Sequence, residues 1–360
     1  MSVYILAFFT ALLIVIFFTP SLIKVAELKN LNDEPDQDRK LHKRKVPTIG
    51  GIIIFAGMLF ALSLWLSISF TDDAFVFAER FKDYTLIVTT TLVLFFVGVK
   101  DDIIGTAPIK KLIAHILVAM VIVLMANIRI KSLHGIFGIY EIPLWASIFI
   151  SIFTIIVIIN AFNLIDGVDG LAAGIGFIGS VVFGMWFSLI HEVVMATLAF
   201  SLAGALLGFL YYNFSPAKIF MGDSGSLTIG LVMSILALKM VDLDPPSLIS
   251  PLSEICKPVL AIAILVYPLT DTLRIFIYRA LKGMSPFSAD RNHIHHRLQD
   301  AGFSHRQVSS LLYSLNLAII VLVIFTYRLQ PTLSLLVLLA AIVILIQVPF
   351  LISRKIQKKS

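Results

Sequence analysis

The chain has 360 residues, of which 59% are hydrophobic and 14% charged, with a formal net charge of +6 and a mean hydropathy of +0.98. A soluble core of this size cannot hide so much apolar surface, and soluble domains carry roughly a quarter charged residues. The same figures exclude disorder, and the single cysteine, Cys256, excludes an intramolecular disulfide and a cysteine-based zinc site.

Apolar runs follow one another along the chain at 4–22, 49–70, 84–99, 112–127, 144–162, 171–190, 194–212, 225–240, 258–279, 309–327 and 332–352. Each is close to the ~20 residues that cross a bilayer as a helix. The expectation is an all-α polytopic membrane protein with about 11 transmembrane helices. No ~10-residue alternating pattern recurs, so a barrel is not expected. The first run lacks a basic leader and is too long for the core of a cleaved signal peptide. No internal repeat or long linker is visible, and residues 1–360 are read as one integral-membrane domain.

Charge orients the spans. Of the 28 lysines and arginines, 21 lie in the loops after odd-numbered spans and in the C-terminal tail, and 7 in the other loops. Basic loops stay cytoplasmic, which puts the N-terminus outside and the C-terminus inside. The inner face then suits anionic headgroups or anionic cytosolic substrates. Among the outer loops, 128–143 alternates and carries Gly135 and Gly138, the pattern of a small β-hairpin.

Five inner loops carry the candidate chemistry, at 23–51, 100–111, 160–170, 213–226 and 280–308. The first is a basic cluster, Arg39 to Lys45, followed by Pro47-Thr48-Ile49-Gly50-Gly51. Cations and close-approach glycines suit phosphate, although basic juxtamembrane runs also serve as plain anchors. The second holds Asp101-Asp102 where an apolar span meets the cytosol. They are metal or substrate ligands, or a helix end facing water. The third, Asn160 to Gly170, places Asn163, Asp166 and Asp169 at helical three-residue spacing. Oxygen ligands so spaced suit a hard cation such as Mg²⁺, against the plainer reading of an Asp-Gly turn.

The fourth loop runs from Asn213 to Ser226 and includes Phe220-Met-Gly-Asp223-Ser-Gly-Ser. Free backbone N–H groups at a helix start form an anion site, and Asp223 there can hold a metal on bound phosphates. An ordinary N-cap is the alternative. The fifth holds Asp290-Arg291-Asn292-His293-Ile294-His295-His296-Arg297. No second cysteine or nearby His pair completes a tetrahedral zinc site, and the flanking arginines point to an anion, or to a solvated cationic helix. The spacings Gly204-x-x-x-Gly208 and Gly170-x-x-x-Gly174 read as helix packing. No Walker-type loop is present, so ATP hydrolysis is disfavoured. Together these loops suit Mg²⁺-dependent phosphoryl transfer between a cytosolic nucleotide compound and a membrane lipid phosphate.

At these five motifs the chain resembles the polyprenyl-phosphate N-acetylhexosamine-1-phosphate transferases, in the superfamily of the phospho-MurNAc-pentapeptide translocase. The resemblance covers residues about 39 to 310. The His-Ile-His-His form of the last motif resembles the undecaprenyl-phosphate GlcNAc-1-phosphate transferase branch, which starts O-antigen, common-antigen or teichoic-acid linkage synthesis. It implies transfer of a HexNAc-1-phosphate, GlcNAc-1-phosphate first, from a UDP-sugar to undecaprenyl phosphate with release of UMP. It implies Mg²⁺, with Mn²⁺ as the alternative ion, a bacterial cytoplasmic membrane and no nucleic acid. A homodimer is a further expectation. Carried over by residue, Asp223 and Asn163 would hold the metal. Asp101 would deprotonate or orient the lipid phosphate with Asp102 in support, and Asp166 and Asp169 would line the metal and nucleotide site. Asn213 and Phe220 would meet uracil. Lys45 or Arg44, Arg291, His293, His295 and His296 would meet phosphate or sugar. Two rivals stand beside this reading: phospho-MurNAc-pentapeptide transfer, and a transporter of anionic metabolites, which would place its ionisable residues near the bilayer midplane.

Overall fold

A computed structural model describes residues 2–29, 32–33, 46–68, 74–243, 252–283 and 293–357. The chain opens with helix α1 (Ser2–Leu28) and a short antiparallel pair, β1 (Asn32–Asp33) with β2 (Val46–Pro47). Helices α2 (Gly50–Ile68), α3 (Ala74–Ile104) and α4 (Pro108–Met120) follow, the last continued by a π-helical turn at Val121–Met125. A hairpin, β3 (Ser132–Ile136) and β4 (Ile139–Glu141), precedes α5 (Leu144–Leu164), α6 (Leu171–Leu189), α7 (Val193–Asn213) and α8 (Gly222–Asp242). The chain continues through α9 (Lys257–Ile264), α10 (Val266–Leu281), α11 (Ile294–Asp300), α12 (His305–Ile324) and α13 (Pro331–Gln357).

Every predicted apolar run is helical over most of its described residues. Within a bilayer no water can satisfy a free peptide group, so apolar runs close their hydrogen bonds internally as helices. Eight helices among the described residues are long and apolar enough to cross a membrane, or nine when α9 and α10 count as one span. The protein is therefore a multi-pass α-helical membrane protein. Helix α3 begins at Ala74, well ahead of the predicted 84.

The predicted continuous span 258–279 is corrected to a broken one, with α9 and α10 meeting at 80°. The cause is Pro268. It has no N–H to give the carbonyl four residues back, Ile264, and its ring opposes that carbonyl. Buried Asn316 of α12 repairs the break. Its Nδ2 donates to the Ile264 carbonyl at 3.2 Å, and its Oδ1 accepts the Tyr267 N–H at 3.3 Å.

Helix α8 is the axis of the fold, with 94% of its apolar window buried. Helices α2, α3, α5, α6, α7 and α9 pack around it. Gly204 and Gly208 let α7 lie directly on α1, since a Cβ at Gly204 would run into the Phe8 carbonyl and one at Gly208 would stand 2.9 Å from that of Leu12. The small-residue spacing is thus a packing face, as expected from sequence. The predicted hairpin is present as well. Phe137 and Gly138, both at positive φ (52° and 74°), form its two-residue turn. Lys131 ties it to Asp242 of α8 at 2.8 Å, and the His134 ring bonds the Val241 carbonyl at 2.8 Å.

Candidate active site

The start of α8 is held by backbone contacts from three sides. Phe220 N–H donates to the Pro47 carbonyl at 2.7 Å, and Gly50 and Gly51 donate to the Phe220 and Met221 carbonyls at 2.9 and 2.8 Å. A Cβ on Gly51 would collide with the Gly225 nitrogen, and one on Gly98 of α3 would lie 2.5 Å from Ser224 Cα. The glycines after Pro47 therefore serve helix-to-helix approach. Gly222 turns at φ +72°, and a Cβ there would press on Asp102's carboxylate at 2.7 and 2.8 Å.

Asp102 is placed to clamp this turn. Its Oδ1 accepts the Asp223 N–H at 2.7 Å and its Oδ2 the Ser224 N–H at 3.1 Å. The expected free N–H anion site at this helix start is corrected accordingly. Two of its donors are filled by the protein's own carboxylate, which the positive end of the helix attracts. The next side chain, Asp223, faces a cation instead. Lys111 of α4 bridges Asp101 Oδ2 at 2.7 Å and Asp223 Oδ2 at 2.5 Å. All three side chains remain about one-fifth exposed, at 22% for Lys111, 18% for Asp101 and 21% for Asp223. Asn163, at the end of α5, gives its amide nitrogen to Asp223 Oδ1 at 2.9 Å and to Ser226 Oγ at 3.0 Å. Asp166, in the turn that follows, accepts the Gly222 N–H. Four of the predicted acids, with Asn163, thus meet at one end of the helices.

The crowding shows in their proton affinities. Asp101 and Asp102 stand on the last turn of α3, beyond its apolar stretch. Burial pushes the Asp102 carboxyl up to about 6, against the pull of Ser224 and the two backbone donors. Burial also raises Asp101, with Lys111 pulling it back and Asp223 pushing it up. Asp166 is driven well above the ordinary carboxylate range, first by burial and then by the Asp223 and Asp102 charges.

Asp169 and Asn213 sit apart from this group, in the framework of the neighbouring loops. Asp169 Oδ2 accepts the Ala217 N–H at 3.1 Å, and Oδ1 lies 3.3 Å from His305 Nδ1. Buried Asn213 accepts the Gly170 N–H at 3.0 Å and donates to the Ile219 carbonyl at 2.8 Å. The Tyr313 hydroxyl donates to the Gly170 carbonyl. Phe220 is half-buried on the same loop. Lys45, Arg44 and Arg291 lie outside the described residues.

The histidines form a second cluster. His293 Nδ1 lies 2.8 Å from Asp271 Oδ2, and the Asp271, His293 and His295 donor atoms fall within 4.8 Å of one another. Burial holds His295 down to about 3, and also lowers His296 against the raising contact of Gln299 at 3.2 Å. Both rings face the acidic turn: a Cβ on Gly167 would stand 3.5 Å from His295 Nε2 and 4.0 Å from His296 Cε1.

Three residues of this arrangement were not among the predicted site residues. Lys111 had a signal, a lysine near the inner end of an apolar run. Asp271 had a stronger one, an acid inside a span. His305 had none, because only the fold brings it to Asp169.

Residues 84–241 match the family model described as glycosyl transferase family 4. The chain is 32% identical over 296 residues to the undecaprenyl-phosphate alpha-N-acetylglucosaminyl 1-phosphate transferase of Escherichia coli strain K12, covering 80% of this chain and 74% of that one. It is 32% identical over 314 residues to the probable undecaprenyl-phosphate N-acetylglucosaminyl 1-phosphate transferase of Bacillus subtilis strain 168, covering 86% and 81%. It is 31% identical over 320 residues to the decaprenyl-phosphate N-acetylglucosaminephosphotransferase of Mycolicibacterium smegmatis, covering 83% and 76%.

The chain belongs to glycosyl transferase family 4. Enzymes of this family generally work with a divalent metal. The residues present fit one. Asp101 and Asp223 already share a cation, the Lys111 ammonium, and carboxylate and amide oxygens are the donors a hard ion selects. The matched segment of family 4 contains the acids, Lys111 and Asn163, but ends before Asp271 and the histidines.

Proposed function

We propose that this chain transfers GlcNAc-1-phosphate from UDP-GlcNAc to undecaprenyl phosphate. The observation that carries the reading is the convergence of Asp101 and Asp223 on Lys111, with Asp102, Asp166 and Asn163 in contact around them. The relatives' names supply the sugar and the lipid class. A lipid-linked starter for an O-antigen, common-antigen or teichoic-acid type of envelope glycan is the product we infer. The whole chain acts as one unit in a bacterial cytoplasmic membrane, N-terminus outside, with the acidic end facing the cytosol.

In the reaction a lipid phosphate oxygen bonds to the sugar-bearing phosphorus of UDP-GlcNAc. The bond from that phosphorus to the bridging oxygen breaks, and its electron pair leaves with UMP. Asp223 and Asn163 would hold Mg²⁺, with Mn²⁺ as the alternative, and the ion would neutralise charge on the diphosphate. A phosphate monoester loses its second proton near pH ~6, so the nucleophile is largely ionised at neutral pH. Asp101 then orients rather than deprotonates, acting with Lys111, whose ammonium is placed to meet a phosphate oxygen. Asp102 fixes the α8 turn that carries Asp223. Asp166 and Asp169 shape the nucleotide side, Asn213 holds its loop and Phe220 offers a ring to uracil. Lys45 or Arg44, Arg291 and the histidines are assigned to phosphate and sugar. A metabolite transporter would carry its charges near the midplane; here Asp101, Asp102, Asp166 and Asp223 stand at helix ends.

Purified protein with undecaprenyl phosphate, Mg²⁺ and a panel of UDP-sugars tests the proposal. UMP release with UDP-GlcNAc is expected, and its loss on Asp223→Asn. No UMP from any UDP-HexNAc would overturn it.

A further inference from the structure

Asp271 stands three residues beyond the Pro268 break, on α10, and its side chain is fully buried. Both oxygens are engaged. Oδ1 accepts the Ile294 N–H at 2.8 Å, and Oδ2 lies 2.8 Å from His293 Nδ1 and 3.7 Å from His295 Nδ1. The Tyr267 hydroxyl, from the same helix, lies 3.1 Å from His295 Nδ1. The His293 and His295 rings stack, with centroids 5.2 Å apart and planes 13° apart. His295 Nε2 is buried without a hydrogen-bond partner among the described residues and points at Gly167, between Asp166 and Asp169. The broken span thus grips the histidine pair by its Nδ1 edges.

A carboxylate buried in a spanning segment is costly unless it has a partner or a task. Holding the Ile294 N–H requires only a neutral acceptor. What a carboxylate adds is a proton fixed on His293 Nδ1, and with it the ring's tautomer and orientation. A metal shared by Asp271, His293 and His295 fits less well. Ligand atoms of a tetrahedral ion at bonds of ~2.0–2.1 Å stand ~3.3 Å apart, whereas Asp271 Oδ2 and His293 Nδ1 are at hydrogen-bond distance, 2.8 Å.

We propose that Asp271 is a positioning residue for the transfer reaction, acting through His293, which it holds in the Nδ1-protonated form stacked on His295, the ring that faces the acidic turn. This rests on the function proposed above, in which the histidines meet the sugar phosphate.

Asp271→Asn keeps an oxygen for Ile294 but turns an amide N–H toward His293 Nδ1, which then favours the other tautomer. The expected result is a 10–100-fold fall in kcat for UMP release, the range for lost outer-shell partners, with KM for UDP-GlcNAc changed by less than about threefold. The double variant with His293→Gln should be no slower than His293→Gln alone, because the two residues act in series. Nitrogen-15 NMR of histidine-labelled wild-type protein should show the proton on His293 Nδ1, a readout that needs no variant to fold. Wild-type kcat in Asp271→Asn, multiplicative losses in the double variant, a His293 ring protonated only at Nε2, or one tightly held zinc per chain would each overturn the inference. Wild-type protein that releases no UMP would instead defeat the functional reading, and the NMR result would still decide the tautomer.

Discussion

The two ends of α8 treat charge in opposite ways. At its C-terminal end single bases meet single acids, Lys239 with Asp83 at 2.9 Å and Lys131 with Asp242 at 2.8 Å. The second pair straps the hairpin down. At its N-terminal end Asp101, Asp102, Asp166 and Asp223 crowd together, and Lys111 touches two of them. Matched pairs cement packing. An excess of acids, of which burial and neighbouring charge have made Asp101, Asp102 and Asp166 reluctant to ionise, is unfavourable for folding alone, and it is the arrangement that a bound cation and its phosphates relieve. We infer that one helix carries a structural end and a chemical end.

The largest test of this contrast is Asp223→Asn. UMP release should fall about 10³-fold, corresponding to several kcal/mol of metal-borne charge stabilisation, while the melting midpoint in detergent holds or rises. Lys111→Met should lower the rate about 100-fold, as expected for loss of one preorganised electrostatic group. Next comes pH. Asp102 and Asp166 bind their protons more tightly folded than unfolded, so both contribute more to stability as pH falls; the Asp102 contribution grows as pH falls through about 6 and is complete below the ordinary carboxylate range. Protonation also removes acceptors from the Asp102 clamp. UMP release should thus drop severalfold from pH 7 to pH 5.5 with no matching loss in thermal stability over that window. The smallest effect on rate belongs to the other end. Lys239→Met should leave UMP release within about twofold and lower stability by about 1–3 kcal/mol, because Asp83 loses its partner. A rate loss there as large as that of Lys111→Met would erase the distinction between the ends.

Much of this was legible in the residues. Apolar runs of membrane length became helices because the bilayer leaves the backbone no other partner, and Gly135 and Gly138 marked a hairpin that is present. The acids of the inner motifs were found because charge is scarce in a membrane chain. Their division of labour was not legible. Asp101 and Asp102 are neighbours in sequence, yet one faces a lysine and the other a helix N-terminus, a difference set by tertiary contact. The glycines after Pro47 were read for a ligand and serve α8 instead. Asp271 is conspicuous as an acid inside an apolar run, but its partners are not legible, because the Pro268 break that brings it to the histidines depends on a repair by Asn316, 48 residues further on in the chain.

The central claim is that the acid-rich end of α8 takes a divalent ion and the paired end does not. Electron paramagnetic resonance of Mn²⁺ titrated into purified protein with UDP-GlcNAc measures this directly. The prediction is one tightly bound ion per chain in the wild type and in Asp242→Asn, and none in Asp223→Asn. Equal binding by wild type and Asp223→Asn, or loss of the ion in Asp242→Asn alone, would contradict it.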